Sequence, residues 1–206
     1  MTLHLVQHPL VEHYLTRLRE RDTAPDEFRE ASDKIITLLL YEATRDLRSR
    51  TFRMDTPLES TEGHAVEDRV VAVPILRAGL GLVSPVLELL PHVTVGYIGL
   101  ERDERTAIAS RYYVKLPPDI QGKVVMILDP MLATGGTAIK AVEIMKEYQP
   151  ASVRLVCVVA APEGIQALEA AHPDVQIFAA ARDRQLNPQK YILPGLGDYG
   201  DRLFGT

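Results

Sequence analysis

Five apolar residues, Val124-Val125-Met126-Ile127-Leu128, end at one acid, Asp129, and a loop rich in small residues follows: Pro130-Met131-Leu132-Ala133-Thr134-Gly135-Gly136-Thr137. A helical pattern begins at its end. Strand, tight turn and helix N-terminus in that order build an anion site. Glycines let backbone N–H groups approach a phosphate, threonines add hydroxyl donors, and the helix adds the positive end of its dipole. No lysine stands between Gly136 and Thr137, so the nucleotide P-loop is excluded, and the dinucleotide fingerprint G-x-G-x-x-G is absent from this turn. The residues at 134–137 offer donors to a single phosphate, while Asp129 can accept from sugar hydroxyls. That pairing suits a phosphorylated sugar. An ordinary strand-to-helix turn of an α/β protein is the competing reading, and the loop taken alone favours phosphate over it.

The loop resembles the PRPP-binding loop of the type I phosphoribosyltransferases. Most members carry two acids before it. Here the second position is Pro130, as in the uracil phosphoribosyltransferase branch. Two further segments resemble the same branch: Pro74-Ile75-Leu76-Arg77-Ala78-Gly79-Leu80-Gly81 and the terminal run at 191–206, which contains Gly195-Leu196-Gly197-Asp198-Tyr199-Gly200. The three motifs come in the family's order and span most of the chain.

The resemblance implies transfer of the 5-phosphoribosyl group from PRPP to N1 of uracil, giving UMP and pyrophosphate. It assigns PRPP contacts to Arg77, Arg102, Asp129, Pro130, Met131, Leu132, Ala133, Thr134, Gly135, Gly136, Thr137 and Asp198. It assigns uracil to Ile192, Gly197, Asp198 and Tyr199. Arg77, Arg102, Asp129 and Asp198 would act by electrostatics and positioning. Arg77 could grip two diphosphate oxygens at once, although a surface arginine at a helix start would look the same. Related loops near Arg77 can hold a cis peptide. Asp198 could order waters on a metal, touch PRPP, or help remove the N1 proton, and the first two fit an oxocarbenium-like electrophile better. Tyr199 stands where many members have a small residue; its side chain either points away from the base pocket or narrows it. Mg²⁺ is implied, arriving with PRPP, since Mg²⁺ keeps water and phosphate oxygens as ligands. GTP is a candidate effector that no motif here decides. A homodimer or higher homo-oligomer is expected because family members associate.

The chain of 206 amino acids suits one α/β domain, with 46% apolar and 25% charged residues. The net charge of −5 and a pI near 5.7 argue against a general nucleic-acid binder. They do not exclude an anionic substrate, because a few arginines can reverse the sign inside one cleft. The lone Cys157 lies in an apolar run and reads as a buried thiol. The six histidines are scattered and read as structural or exposed. No signal peptide and no membrane-length apolar run is visible, so a cytoplasmic location is expected.

Helices are expected at 9–20 and 25–47, the second with Phe28, Ile35, Ile36, Leu39 and Leu40 on one face, packing on the sheet or on a second subunit. Short strands and a loop are expected over 51–67. Strands follow at 69–73, 93–100, 111–116, 124–128, 153–160 and 175–180, with helices at 79–90, 136–148 and 162–171. The expected fold is a mostly parallel sheet flanked by helices, the type I phosphoribosyltransferase fold. Arg77, Asp129 and Thr134 then fall just past strand ends, where ligands sit in such sheets. The charged stretch 101–110 is either a solvated hairpin tip or a mobile flap carrying Arg102. Residues 182–206 break the alternation, yet Tyr191, Ile192, Leu193, Leu196, Leu203 and Phe204 could anchor them as a folded lid over the base, the hood. A single domain is expected over 1–206, with 1–50 as an N-terminal helical segment. Two rivals remain: an RNA-binding regulator on the same fold, disfavoured by the acidic pI, and a purine-base transferase, disfavoured by the lone acid before Pro130 and the glycine-rich tail.

Overall fold

The computed structural model of the chain describes residues 2–90, 92–102 and 109–206. Its elements in order are β1 (Leu3–Leu5), α1 (Pro9–Arg19), α2 (Pro25–Ala43), β2 (Ser49–Asp55), β3 (Ser60–Val66), β4 (Val70–Leu76), a 3₁₀ turn (Ala78–Leu82), α3 (Val83–Leu89), β5 (Thr94–Val95), β6 (Tyr97–Arg102) and β7 (Ala109–Lys115). Then come β8 (Val124–Leu128), β9 (Met131–Leu132), α4 (Gly136–Lys146), β10 (Ser152–Ala160), α5 (Pro162–Ala171), β11 (Gln176–Arg182), β12 (Gln185–Leu186), β13 (Ile192–Leu193) and α6 (Tyr199–Phe204).

The main sheet runs β1-β11-β10-β8-β4-β6-β7, with β5 on β4 and β9 on β10; every pairing is parallel except β6 with β7. The central strands are apolar throughout because both of their faces are covered. The period of two then sorts β8. Val124, Met126 and Leu128 point into a core shared with α1 and α2, while Val125 and Ile127 point into a core shared with α4 and α5. The first core also holds Ile192, Leu196, Tyr199 and Leu203. The N-terminal helices therefore pack on the sheet, and the tail packs with them. The tail is folded, as expected, around the β12–β13 pair and α6.

Several boundaries differ from the periodicity. The three residues of β1 are too few to show a period, yet they pair with β11 at the sheet edge. The expected helix at 79–90 is a 3₁₀ turn followed by α3, with Pro85 in the first turn of α3. The expected strand at 93–100 is broken at Gly96, whose N–H still donates to Ala72 O at 2.9 Å. β2 and β3 form a separate antiparallel hairpin that stands exposed. Residues 103–108 of the stretch expected as a hairpin tip or a flap, and the side chain of Arg102, lie outside the described residues; β6 carries the Arg102 backbone to the same end of the sheet as the end of β4. Among the described residues no helix is long and apolar enough to cross a membrane.

Candidate functional site

The loop after β8 is held along one side by the backbone of β10. Asp129 N–H donates to Val156 O at 3.2 Å. Pro130 C=O accepts from Val158 N–H at 2.9 Å and Val159 N–H at 3.2 Å, and Leu132 C=O accepts from Ala161 N–H at 2.8 Å. Residues 131–132 thus resume the parallel ladder as β9, a strand inside the loop that small residues and a proline concealed. Asp129 is half-buried at the strand end, and its Oδ1 accepts from Met131 N–H at 3.4 Å.

Gly135 then turns the chain with φ +85° and caps α4 without a side chain. An L-residue resists that conformation. Space is short as well: a Cβ at Gly135 would lie 3.0 Å from Gly164 O and 3.1 Å from Ala167 Cβ, both on α5. From the other side, a Cβ at Gly164 would lie 2.4 Å from Ala133 O. Loop and helix meet backbone to backbone. The first intrahelical bond of α4 runs from Ile139 N–H to Gly135 O at 2.8 Å. The earlier first-turn N–H groups have no helical acceptor, and the dipole's positive end lies with them. Among the described residues a Cβ at Gly136 would meet only Thr134 Oγ1, at 3.9 Å.

Arg77 leaves β4, the strand beside β8, through a cis Leu76–Arg77 peptide. A Cβ at Gly79 would lie 2.4 Å from Leu128 O, so the Arg77 turn is pressed against the end of β8. Arg77 and Asp129 accordingly emerge from neighbouring strands at the same end. The Arg77 side chain is 71% exposed, and its Nη2 stands 3.9 Å from Oδ1 of the half-exposed Asp201. Such a pair contributes little, so the guanidinium can exchange it for a stronger anion.

The tail brings Asp198 to the same place. A Cβ at Gly81 would overlap Leu203 Cδ2 at 2.3 Å, and one at Gly200 would lie 3.7 Å from Ala78 Cβ. Gly197 (φ +84°) and Asp198 are exposed, whereas Ile192 is buried. Asp198 Oδ1 accepts from Asp201 N–H at 2.9 Å and caps α6. The Tyr199 side chain points the other way. Its ring is buried edge-on to Phe28 at 5.1 Å, its hydroxyl bonds the buried Ser32 hydroxyl, and burial pushes the phenol up. Of the two expectations for Tyr199, the structure has the inward-turned one, with the side chain packed in the first core. Cys157 is fully buried in β10, and its thiol is pushed up by burial and then by the charge of Asp129. Among the described residues no cluster of three His, Cys, Asp or Glu side chains could hold a metal.

Gly164, Asp183, Arg19 and Arg202 escaped the sequence reading. Gly164 had one signal, a glycine in the first turn of a helix, where it costs stability unless close packing requires it. Asp183 follows the end of β11 as Asp129 follows the end of β8. For Arg19 and Arg202 there was none.

A sequence model described as "Uracil phosphoribosyltransferase" matches residues 5–206. Curated proteins of that description include one from Rhodococcus opacus, 48% identical over 206 residues, covering 100% of this chain and 99% of its own. Another, from Dictyoglomus turgidum, is 50% identical over 203 residues, covering 98% of each. A solved structure of an Aquifex aeolicus protein aligns with a TM-score of 0.93 at 37% identity, covering 99% of this chain and 98% of that one. A hypoxanthine-guanine phosphoribosyltransferase from Bacillus anthracis aligns at a TM-score of 0.53 and 12% identity, covering 77% of this chain and 80% of that one; it shares the fold.

Proposed function

The chain belongs to the uracil phosphoribosyltransferase family, and from that premise we propose how its residues transfer the phosphoribosyl group of PRPP to N1 of uracil, giving UMP and pyrophosphate. One observation carries the proposal. The Arg77 turn, the 129–137 loop and the tail bearing Asp198 lie together at the carboxyl end of β4 and β8, although they are far apart in sequence.

The 5-phosphate takes the donors of Thr134, Gly135, Gly136 and Thr137 at the start of α4. Asp129 accepts from the ribose hydroxyls, and Pro130, Met131, Leu132 and Ala133 form the loop wall. Arg77 and Arg102 take the diphosphate. As the bond from C1′ to pyrophosphate oxygen breaks, its electron pair leaves with pyrophosphate, and the uracil N1 lone pair closes on C1′ with loss of the N1 proton. Donors preset for the leaving group are the largest expected contribution. Mg²⁺ bound to PRPP would supply further charge neutralisation, and exposed Asp198 would hold its waters.

Residues 182–206 form the hood. Uracil presents acceptor, donor, acceptor (O4, N3–H, O2) to main-chain groups at Ile192 and at Gly197, Asp198 and Tyr199. Cytosine reverses two of these positions and leaves buried groups unpaired, which can reject it by about 10⁴-fold or more. Association with a second copy is supported by exposed apolar side chains on the β2–β3 hairpin and α3, among them Phe52, Leu58, Val66 and Leu87. A GTP effector rests on the resemblance alone.

The test is incubation with labelled PRPP and each base in turn. UMP and pyrophosphate are expected with uracil and negligible turnover with cytosine. Comparable rates with both bases would remove the main-chain readout, and turnover of a purine alone would remove the pyrimidine assignment.

A further inference from the structure

Between Ile192 and Gly197 the chain turns sharply, through a cis Leu193–Pro194 bond and through Gly195 at φ +64°. A Cβ at Gly195 would lie 2.2 Å from Ile192 O. Both polar groups of Gly195 are gripped by side chains. Its N–H donates to Asp183 Oδ2 at 2.9 Å, and its C=O accepts from Arg19 Nη1 at 2.8 Å. Arg19 and Asp183 are joined by two bonds, Nη1 to Oδ2 at 3.0 Å and Nη2 to Oδ1 at 2.5 Å. The Asp183 side chain is only 3% exposed. One residue further on, Leu196 C=O accepts from Arg202 Nη1 at 2.8 Å, and Arg202 also donates to the backbone of Leu18 and Glu20 at the end of α1.

This network has a rigid origin. Asp183 directly follows β11, and its N–H donates to Ala160 O at the end of β10, at 2.8 Å. Arg19 ends α1, which packs in the first core. The carboxylate thus ties the turn to the sheet, and the guanidinium ties it to α1. Neither side chain makes a described hydrogen bond to the 129–137 loop or to the Arg77 turn.

We propose that Asp183 and Arg19 are positioning residues for base selection: by holding both polar groups of Gly195 they set the spacing between Ile192 and the 197–199 segment, and so the alignment of the main-chain groups that read uracil. The proposal rests on the uracil reading of the tail given above. It separates the two substrates, because the network fixes the base-binding turn and leaves the phosphate loop alone. A purely stabilising ion pair would carry no such asymmetry.

Steady-state kinetics with each substrate varied separately tests it. Asp183→Asn keeps the shape but removes the charge and places an N–H₂ toward donors. KM for uracil should rise roughly ten- to a hundredfold, the loss expected for charge-assisted bonds, with KM for PRPP nearly unchanged. Arg19→Lys keeps the charge without the fork and should raise KM for uracil less than Arg19→Met does. The double variant Arg19→Met with Asp183→Leu leaves no unpaired buried charge, so it should be more stable than Arg19→Met alone, although it still strands the buried N–H and C=O of Gly195, and KM for uracil should stay high. Amide exchange in the free protein supplies a readout independent of activity: Asp183→Asn should speed exchange across 192–198 and leave 132–137 unaffected. Parallel rises in both KM values would overturn the proposal, as would wild-type exchange and wild-type KM for uracil in a folded Asp183→Asn. If the wild-type protein does not convert uracil, the functional reading fails, and exchange alone then judges the tether.

Discussion

Replacing Gly164 by alanine tests the architecture of the phosphate loop from behind. Gly164 lies in the first turn of α5, where intrinsic propensity favours alanine by about 0.5–1 kcal/mol. Propensity alone therefore expects a more stable protein. Geometry expects the reverse. The new Cβ would stand 2.4 Å from Ala133 O and 3.0 Å from both Ala133 C and Leu132 O, all backbone atoms. Relieving the closest contact needs about 1 Å of relative movement between α5 and the loop, and overpacking of this kind costs about 1–3 kcal/mol. The balance is a net loss of up to about 2.5 kcal/mol, or a Tm lowered by up to about 10 °C for a chain of this size. The functional effect should be larger, since a displacement of about 1 Å in a positioning element can cost about 10²-fold. Urea denaturation measures the first quantity and PRPP titration the second. Gly122→Ala is the control: Gly122 has φ +73° and nothing within 4 Å of an added Cβ among the described residues, so it should lose about 1–2 kcal/mol from the left-handed backbone and bind PRPP normally. A Gly164→Ala protein as stable as wild type, with PRPP affinity within about twofold, would refute the claim that α5 shapes the loop.

Gly136→Ala should behave oppositely: stability is held or raised by up to about 1 kcal/mol, because among the described residues only Thr134 Oγ1 lies within 4 Å of the new methyl, while PRPP affinity falls; an unchanged KM for PRPP in a folded variant argues that no phosphate occupies this face. Tyr199→Phe should cost about 1–3 kcal/mol by stranding the buried Ser32 hydroxyl, with kcat and KM for uracil near wild type; a changed KM at unchanged stability would mean that the hydroxyl faces the base. Alkaline pH should destabilise the fold in two stages. The Cys157 thiol and the Tyr199 phenol are both pushed up by burial, so the unfolded chain releases these protons first, at about pH 8.5 and about pH 10. Stability is then lost as pH rises, by about 1.4 kcal/mol per pH unit per group. Urea midpoints should decline from about pH 8.5, and Cys157→Ala should remove the first decline; an identical pH profile in that variant would show that the thiol is not responsible.

Local chemistry and local periodicity account for much of this protein. An unbroken apolar run as short as 124–128, rich in β-branched residues and ended by an acid and a proline, reads as a strand covered on both faces, and alternation of such runs with helical patterns implies a parallel sheet. The Asp129 and Thr134–Gly135–Gly136–Thr137 spacing, the Arg77 turn and the glycine-rich tail carried the candidate site because each is a contiguous segment whose backbone demands show in its residue types. Two things did not show. Very short elements, β1 and β9, contain fewer residues than a period needs, and their partners in β11 and β10 alone make them strands. Contacts between distant segments have no local signature either. That Gly164 must lack a side chain, that Tyr199 turns inward to Ser32, and that Arg19 and Asp183 close on Gly195 follow from which segments the sheet brings side by side. A residue's type records what it can bond; only the folded chain decides what lies within reach of it.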